Sequence, residues 1–447
     1  MIRTRKAVAA GVTLAAAASL ILAGCSGQAQ PQGTVAADGP VTVDFWYSVG
    51  GSSADALLKQ VTAFNAENAV DITINPIYQG DYTETAAKLT NAVQSGDTPV
   101  LLQGGDTFSA YLHDSGLATA PESITTFDGQ NYTADDVVAA AANYYTFDGE
   151  LWAVPLMVSQ PAVFFDATKL QAAGLSGDKP PASIDELFDW ADKIYAATGT
   201  PGLVFQQNEW WNEQFSALNN VVYCTPDNGL GADPATAFDF VDDDLVDVWT
   251  HYQKSLQAGA IVNVGSDGVA AQNAFSVGQA AMLLASSASL GTTTAAASFE
   301  ISAFALPVAT KGGGAVPGGS ALWILGEGHS DAEKAAAVEF ARFMGSADVQ
   351  RQIFEDSGYL PSNQEALDGL LASETSQPKL ALLTQLTDTA KTAATGGCHN
   401  GAFGQSRADV RSAIQAIAGG ADVRSSLEKA QAKGTDQLTT YNERVSK

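Results

Sequence analysis

Basic residues are scarce in this chain. Twenty-two Lys and Arg face 49 Asp and Glu, a formal net charge of −27. Binding to nucleic acid or an anionic membrane rests on Lys and Arg neutralising phosphate, so both are excluded as partners. Histidine is also sparse, and His113, His251, His329 and His399 are scattered, none in a metal-ligand spacing such as H-E-x-x-H. Asp242-Asp243-Asp244 lacks the spaced acids and central glycine of a calcium loop, and reads as a helix start. Lys311-Gly312-Gly313-Gly314 lacks the Lys-Ser/Thr ending of a phosphate loop. A glycosidase needs two carboxylates flanking one bond, and nothing brings Asp106 and Glu209 together in sequence. Neither metal, cofactor nor catalytic chemistry is implied. Internal repeats are absent, and the most apolar later stretch, 280–309, is broken by Ser, Thr and Glu300.

What is present begins at the N-terminus. Arg3, Arg5 and Lys6 precede an apolar run over 7–22, followed by Ala23-Gly24-Cys25. A basic end, a short apolar segment and a small-residue cleavage site make a secretory signal, and the run is shorter than the roughly 20 residues of a membrane span. The cysteine after Leu-Ala-Gly resembles the bacterial lipoprotein signal, in which Cys25 becomes the acylated first residue. The expected product sits outside the cytoplasm on a lipid anchor. Loss of residues 1–24 removes three positive charges and no acids, taking the balance from −27 to −30. Residues 25–40, rich in Gly, Gln, Ala and Pro, read as a flexible tether. Cys224 and Cys398 then remain. In an oxidising compartment they either bridge or stay as two buried thiols. A bridge would close a loop of about 170 residues, worth roughly 4–5 kcal/mol in the chain-entropy model.

The mature length exceeds what one hydrophobic core organises, so two lobes are expected. Residues 41–46 form a β-branched strand. Ser52 and Ser53 offer caps for a helix carrying Leu57, Leu58, Val61 and Phe64. Ile72, Ile74 and Ile77 mark a second strand. Tyr82, Ala86, Leu89 and Val93 mark a helix ended by Gly96, and 99–102 a third strand. Alternation of this kind argues for βαβ units and an α/β fold. Further along, 151–166 reads as paired strands. Residues 183–197 read as a helix with a Ser183/Glu186 capping box. Helices are also expected over 242–258 and 331–344, with a final helical stretch turning at Gly419-Gly420.

Five segments together carry a resemblance. They are Phe45-Trp46-Tyr47-Ser48 with Phe64-Asn65-Ala66-Glu67-Asn68; Tyr78-Gln79-Gly80-Asp81-Tyr82 with Pro99-Val100-Leu101-Leu102-Gln103; the stretch from Phe275-Ser276-Val277-Gly278-Gln279 to Ser286-Ser287-Ala288-Ser289; Gly318-Gly319-Ser320-Ala321-Leu322-Trp323; and Ser357-Gly358-Tyr359-Leu360-Pro361. In this order, behind a lipoprotein signal, they resemble the extracytoplasmic solute-binding proteins of bacterial ABC importers. The carbohydrate-type family is the match, and within it the branch that binds glycerol 3-phosphate or glycerophosphodiesters. The resemblance implies two α/β lobes joined by a hinge and closing over a ligand, a membrane permease as partner, and a monomer. The division that follows is 41–155 with part of 306–345 for the first lobe, and 156–305 with 346–447 for the second.

Carried over position by position, the resemblance implies ligand contacts from Tyr82, Asp106, Ser159, Ser287, Gly319 and Tyr359. Asp106 stands where Glu is usual. Arg411 matches a basic residue expected at a phosphate, where a planar guanidinium donates two hydrogen bonds. Arg407, four residues earlier, shares its helical face and is the alternative match. Trp210 and Trp211 cannot point the same way, so one packs and one faces the ligand. Each residue also has a purely structural reading: packing for the tyrosines, a turn for Asp106 and Gly319, local backbone bonds for the serines, a surface ion pair for the arginine. The strong acidity keeps a neutral oligosaccharide as the competing ligand.

Overall fold

The computed structural model describes residues 39–445; the leader, Cys25 and the tether up to residue 38 lie outside the described residues. Among the described residues, two five-stranded sheets frame the molecule. The first contains β1 (Val41–Tyr47), β2 (Ile72–Tyr78), β3 (Leu101–Gly105) and β4 (Val154–Ser159), with β10 (Gly318–Ile324) inserted between β3 and β4. β1 runs parallel to both β2 and β3, while β10 is antiparallel to its two neighbours. The second contains β5 (Pro161–Asp166), β6 (Leu203–Phe205), β7 (Ile261–Val262), β8 (Met282–Ser286) and β9 (Ile301–Ala305), in the order β7-β6-β8-β5-β9. The mixed α/β, two-lobe architecture is therefore present.

Local chemistry explains most of the elements. Alternation in β1 buries Val41, Val43 and Phe45 and leaves Thr42 and Asp44 exposed, as one covered face demands. Helix α1 (Gly51–Glu67) buries Leu57, Val61 and Phe64 against that sheet. Its cap is Gly50, so Ser52 and Ser53 lie inside the helix rather than capping it. Helix α2 (Tyr82–Ser95) opens on a reciprocal Asp81/Glu84 capping box and stops at Gly96 in the left-handed region, as expected. Helix α3 (Ile184–Thr198) is capped by the Ser183 hydroxyl, but Glu186 accepts from Ala182 N, so the expected box is only half formed.

The expectation of paired strands over 151–166 fails. β4 and β5 are consecutive but enter different sheets, with Gln160 alone between them. The first sheet thus keeps the chain to Ser159. The helix over Ala347–Ser357 gives Val349 and Ile353 to the first core. The same helix gives Phe354 to a separate core shared with strands of the second sheet, so it bridges the expected boundary at 345. Sequence alternation could not show which sheet each strand would join.

Buried amides bind the passages between lobes to one another. Gln160 Nε2 donates to Ala315 O at 3.1 Å and to Thr389 Oγ1 at 2.9 Å. Gln385 Nε2 donates to Pro161 O at 2.7 Å, and its Oε1 accepts from Leu306 N at 2.6 Å. Behind them Cys224 and Cys398 form the disulfide, with Cα atoms 5.7 Å apart. Next to it His399, 4% exposed, packs at a tilt against Tyr144, centroids 4.4 Å apart, and lies with Nε2 2.9 Å from Gly396 O. This segment leads into the C-terminal helices, Phe403–Ala418 and Val423–Val445, which pack together and turn at Gly419-Gly420 as expected.

Candidate functional site

Asp106, Ser159 and Trp210 converge around Gly318 where the lobes meet. Asp106 follows β3, Ser159 ends β4, and Gly318-Gly319 open β10, so three strands of the first sheet deliver them to one edge. A β-carbon at Gly318 would lie 3.5 Å from Ser159 Oγ, 3.8 Å from Trp210 and 3.9 Å from an Asp106 oxygen. The missing side chain keeps that junction open. Gly319 has φ +106°, and a β-carbon there would stand 2.0 Å from Met157 O, so only glycine fits.

Tyr82 crosses Gly105 so closely that a β-carbon at 105 would touch its ring at 2.9 Å. Its hydroxyl is buried with no well-formed hydrogen bond, and Tyr359 and Ser320 are its polar neighbours. Burial, with the Asp106 charge adding to it, holds the phenols of Tyr82, Tyr145 and Tyr359 above their ordinary range; all three are neutral donors. Tyr144 donates to Asp106 O at 3.1 Å.

The charged part comes from two helices of the second lobe, α4 (Trp210–Leu218) and α5 (Phe403–Ala418). Arg407 Nε and Nη2 donate to Glu213 at 2.6 and 2.5 Å, and Nη2 is 3.6 Å from Asp106 across the interface. Arg411 makes the same fork with Glu209 at 2.7 and 2.5 Å. Arginines four apart on one helix face acids four apart at the other, so the two forks share one register. Their environments differ: the Arg407 side chain is 14% exposed, that of Arg411 45%. Burial opposes the Arg407 charge, but Glu213 and Asp106 outweigh it and hold it protonated. Burial pushes Glu213 up to about 7, against the pull of Arg407.

Several expectations are now sorted. Arg407, not Arg411, reaches the junction with Asp106. Trp210 faces it, whereas Trp211 is 2% exposed and donates its indole N–H to Gln206 O at 2.7 Å, packed against Phe205 and Phe215. Ser287 is wholly buried and accepts from Gln160 N at 3.1 Å, which ties it to the passage between lobes. Glu213 was missed, as were Tyr144 and Tyr145. The matched spacing of Glu209/Glu213 and Arg407/Arg411 was the signal that could have found Glu213. Among the described residues no cluster of His, Cys, Asp and Glu could hold a metal ion, and no helix is long and apolar enough to cross a membrane.

The model of bacterial extracellular solute-binding proteins matches residues 59–382, well over half the chain. The chain belongs to that family. This solute-binding protein is 27% identical over 410 residues to the sn-glycerol-3-phosphate-binding periplasmic protein UgpB of Rhizobium meliloti, spanning 88% of this chain and 92% of the relative. It is 28% identical over 335 residues to UgpB of Brucella melitensis, covering 71% and 73%. Among solved structures the GacH receptor of Streptomyces glaucescens aligns with TM-score 0.73 at 19% identity, over 90% of this chain and all of that one. UgpB from Mycobacterium tuberculosis, in complex with glycerophosphocholine, aligns with TM-score 0.70 at 22% identity, over 90% and 99%. The family match ends before the helix that carries Arg407.

Proposed function

We propose that this solute-binding protein is the extracytoplasmic receptor of an ABC importer and takes glycerol 3-phosphate or a glycerophosphodiester between its lobes. The observation that carries the reading is Arg407, a buried guanidinium at the lobe junction. It stands beside Asp106, a carboxylate for ligand hydroxyls, and the phenols Tyr82 and Tyr359 lie within the electrostatic reach of that carboxylate. The names of the curated relatives agree with it. In this reading Arg407 holds the phosphate and Arg411 supports it through its fork with Glu209. Ser159, the Ser287 hydroxyl and the Gly319 amide donate to the ligand, and Trp210 forms a wall. The protein binds and delivers without catalysis, as a monomer tethered by lipid on Cys25 and recognised in its closed form by the permease.

A second reading has its own support. Asp106, Glu209 and Glu213 outnumber the two guanidiniums, and a tryptophan beside carboxylates suits a neutral sugar. GacH, similar in fold, was solved with acarbose.

Calorimetric titration of the purified protein with glycerol 3-phosphate, glycerophosphocholine and a maltose-type oligosaccharide separates the two. Micromolar or tighter binding of a phosphate ligand alone is expected. Arg407→Lys, which keeps charge but loses the fork, should weaken that binding about tenfold or more. Binding of the sugar alone would move the ligand class to carbohydrate, and hydrolysis of any of the three would overturn the receptor reading.

A further inference from the structure

Charge at the junction poses a problem for any phosphate. Arg407 and Arg411 bring two positive charges, and Asp106, Glu209 and Glu213 three negative ones. Glu209 occupies the Arg411 fork, and Glu213 occupies two Arg407 donors. A phosphate at Arg407 would therefore share one buried cation with Glu213 and Asp106. An uncompensated buried anion costs several kcal/mol, so one carboxylate must give up its charge. Asp106 has its own support, because it accepts from Thr107 N at 2.8 Å. Glu213 is more deeply buried, and among the described residues Arg407 alone donates to it.

Resting on the phosphate reading above, we propose that ligand capture is coupled to protonation of Glu213. A proton from solvent bonds to a Glu213 carboxylate oxygen, the carboxyl releases the Arg407 fork, and phosphate takes its place. No covalent bond of the ligand changes. The charged or titratable groups facing Glu213 are Arg407 and, more distantly, Asp106, Glu209, Tyr144 and Tyr223. Both phenols are held neutral by burial, and Asp106 and Glu209 both favour the protonated form of Glu213.

The sign follows from linkage. Glu213 in the free protein already sits near 7 through burial. An added anion raises it further, so protons are taken up on binding wherever the pH lies above the free value and below the bound one. Affinity is then flat below about pH 7 and falls by up to about tenfold per pH unit above it. A neutral sugar adds no anion and carries no such dependence. Glu213 thus makes the receptor's preference between phosphate and neutral ligands depend on pH.

Glycerophosphocholine is the probe, because a phosphodiester does not titrate near neutrality, whereas a phosphomonoester does, with a second pKa of about 6. Its binding to the purified protein is measured by calorimetry at about pH 6.5, 7.5 and 8.5, in buffers of different ionisation enthalpy, to count protons. Expected are uptake approaching one proton per ligand above pH 7 and the stated fall in affinity. Glu213→Gln should bind with neither proton uptake nor pH dependence. Tight wild-type binding with no proton exchange and constant affinity overturns the proposal and leaves the phosphate reading standing. Failure of every phosphate ligand, with sugar binding intact, overturns both. Should Glu213→Gln not fold, the wild-type proton count decides alone.

Discussion

Mild acid should destabilise this protein through His399, which packs against Tyr144. The ring lies between Tyr144 and the edge of Phe147, at centroid distances of 4.4 and 4.9 Å, beside the disulfide it follows. Burial disfavours its charged form, and nearby His113 adds to the effect; the imidazole is pushed down to about 4 from 6.5. The unfolded chain therefore binds a proton between those values that the native state refuses. The contribution to stability is complete above 6.5 and is lost as pH falls toward 4. At about 1.4 kcal/mol per pH unit the whole is worth about 3 kcal/mol, of which about 2 is gone by pH 5. The assay is urea unfolding followed by tryptophan fluorescence, for wild type and His399→Gln, at pH 7, 6 and 5. The amide can still donate to Gly396 O but cannot titrate. Wild type should lead at pH 7, and the gap should shrink by about 2 kcal/mol at pH 5, shared acid effects cancelling. A gap that stays constant would refute the buried neutral imidazole.

Two further outcomes test the framework. Gly319→Ala forces a side chain into a left-handed position against the Met157 carbonyl, and should cost about 2 kcal/mol or more together with ligand affinity, read by melting and titration. Replacing Cys224 and Cys398 together by serine frees a loop closed over a sequence separation of 174, worth about 5 kcal/mol in the chain-entropy model; a melting temperature unaffected by the change would contradict it.

How much of this was legible follows from how local each signal is. Gly96, the Asp242 cap and the run over 331–344 act through neighbours a few residues away, and they stand where periodicity and capping placed them. Sheet membership is not local. Alternation in 154–166 is the same whether two strands pair or part, and the deciding feature is Gln160, whose amide bonds to residues more than 150 positions away. The site was partly readable for the same reason. Tyr82, Asp106, Ser159 and Tyr359 were named through family likeness and do meet. Arg407 and Arg411 stand a single helical turn apart, and what distinguishes them is burial and the approach of Asp106 to Arg407, neither of which is visible in sequence. Trp211 was indistinguishable from Trp210 until the helix direction was known.

The insertion of β10 between β3 and β4 has a consequence for synthesis. The central part of the first sheet is closed by residues 318–324, so the first 160 residues leave the ribosome without the strand that joins their two halves. β3 and β4 remain with open edges until the second lobe has been made. The first sheet is therefore a unit that only the chain through residue 324 can complete, and a truncation before that point leaves its two halves unjoined.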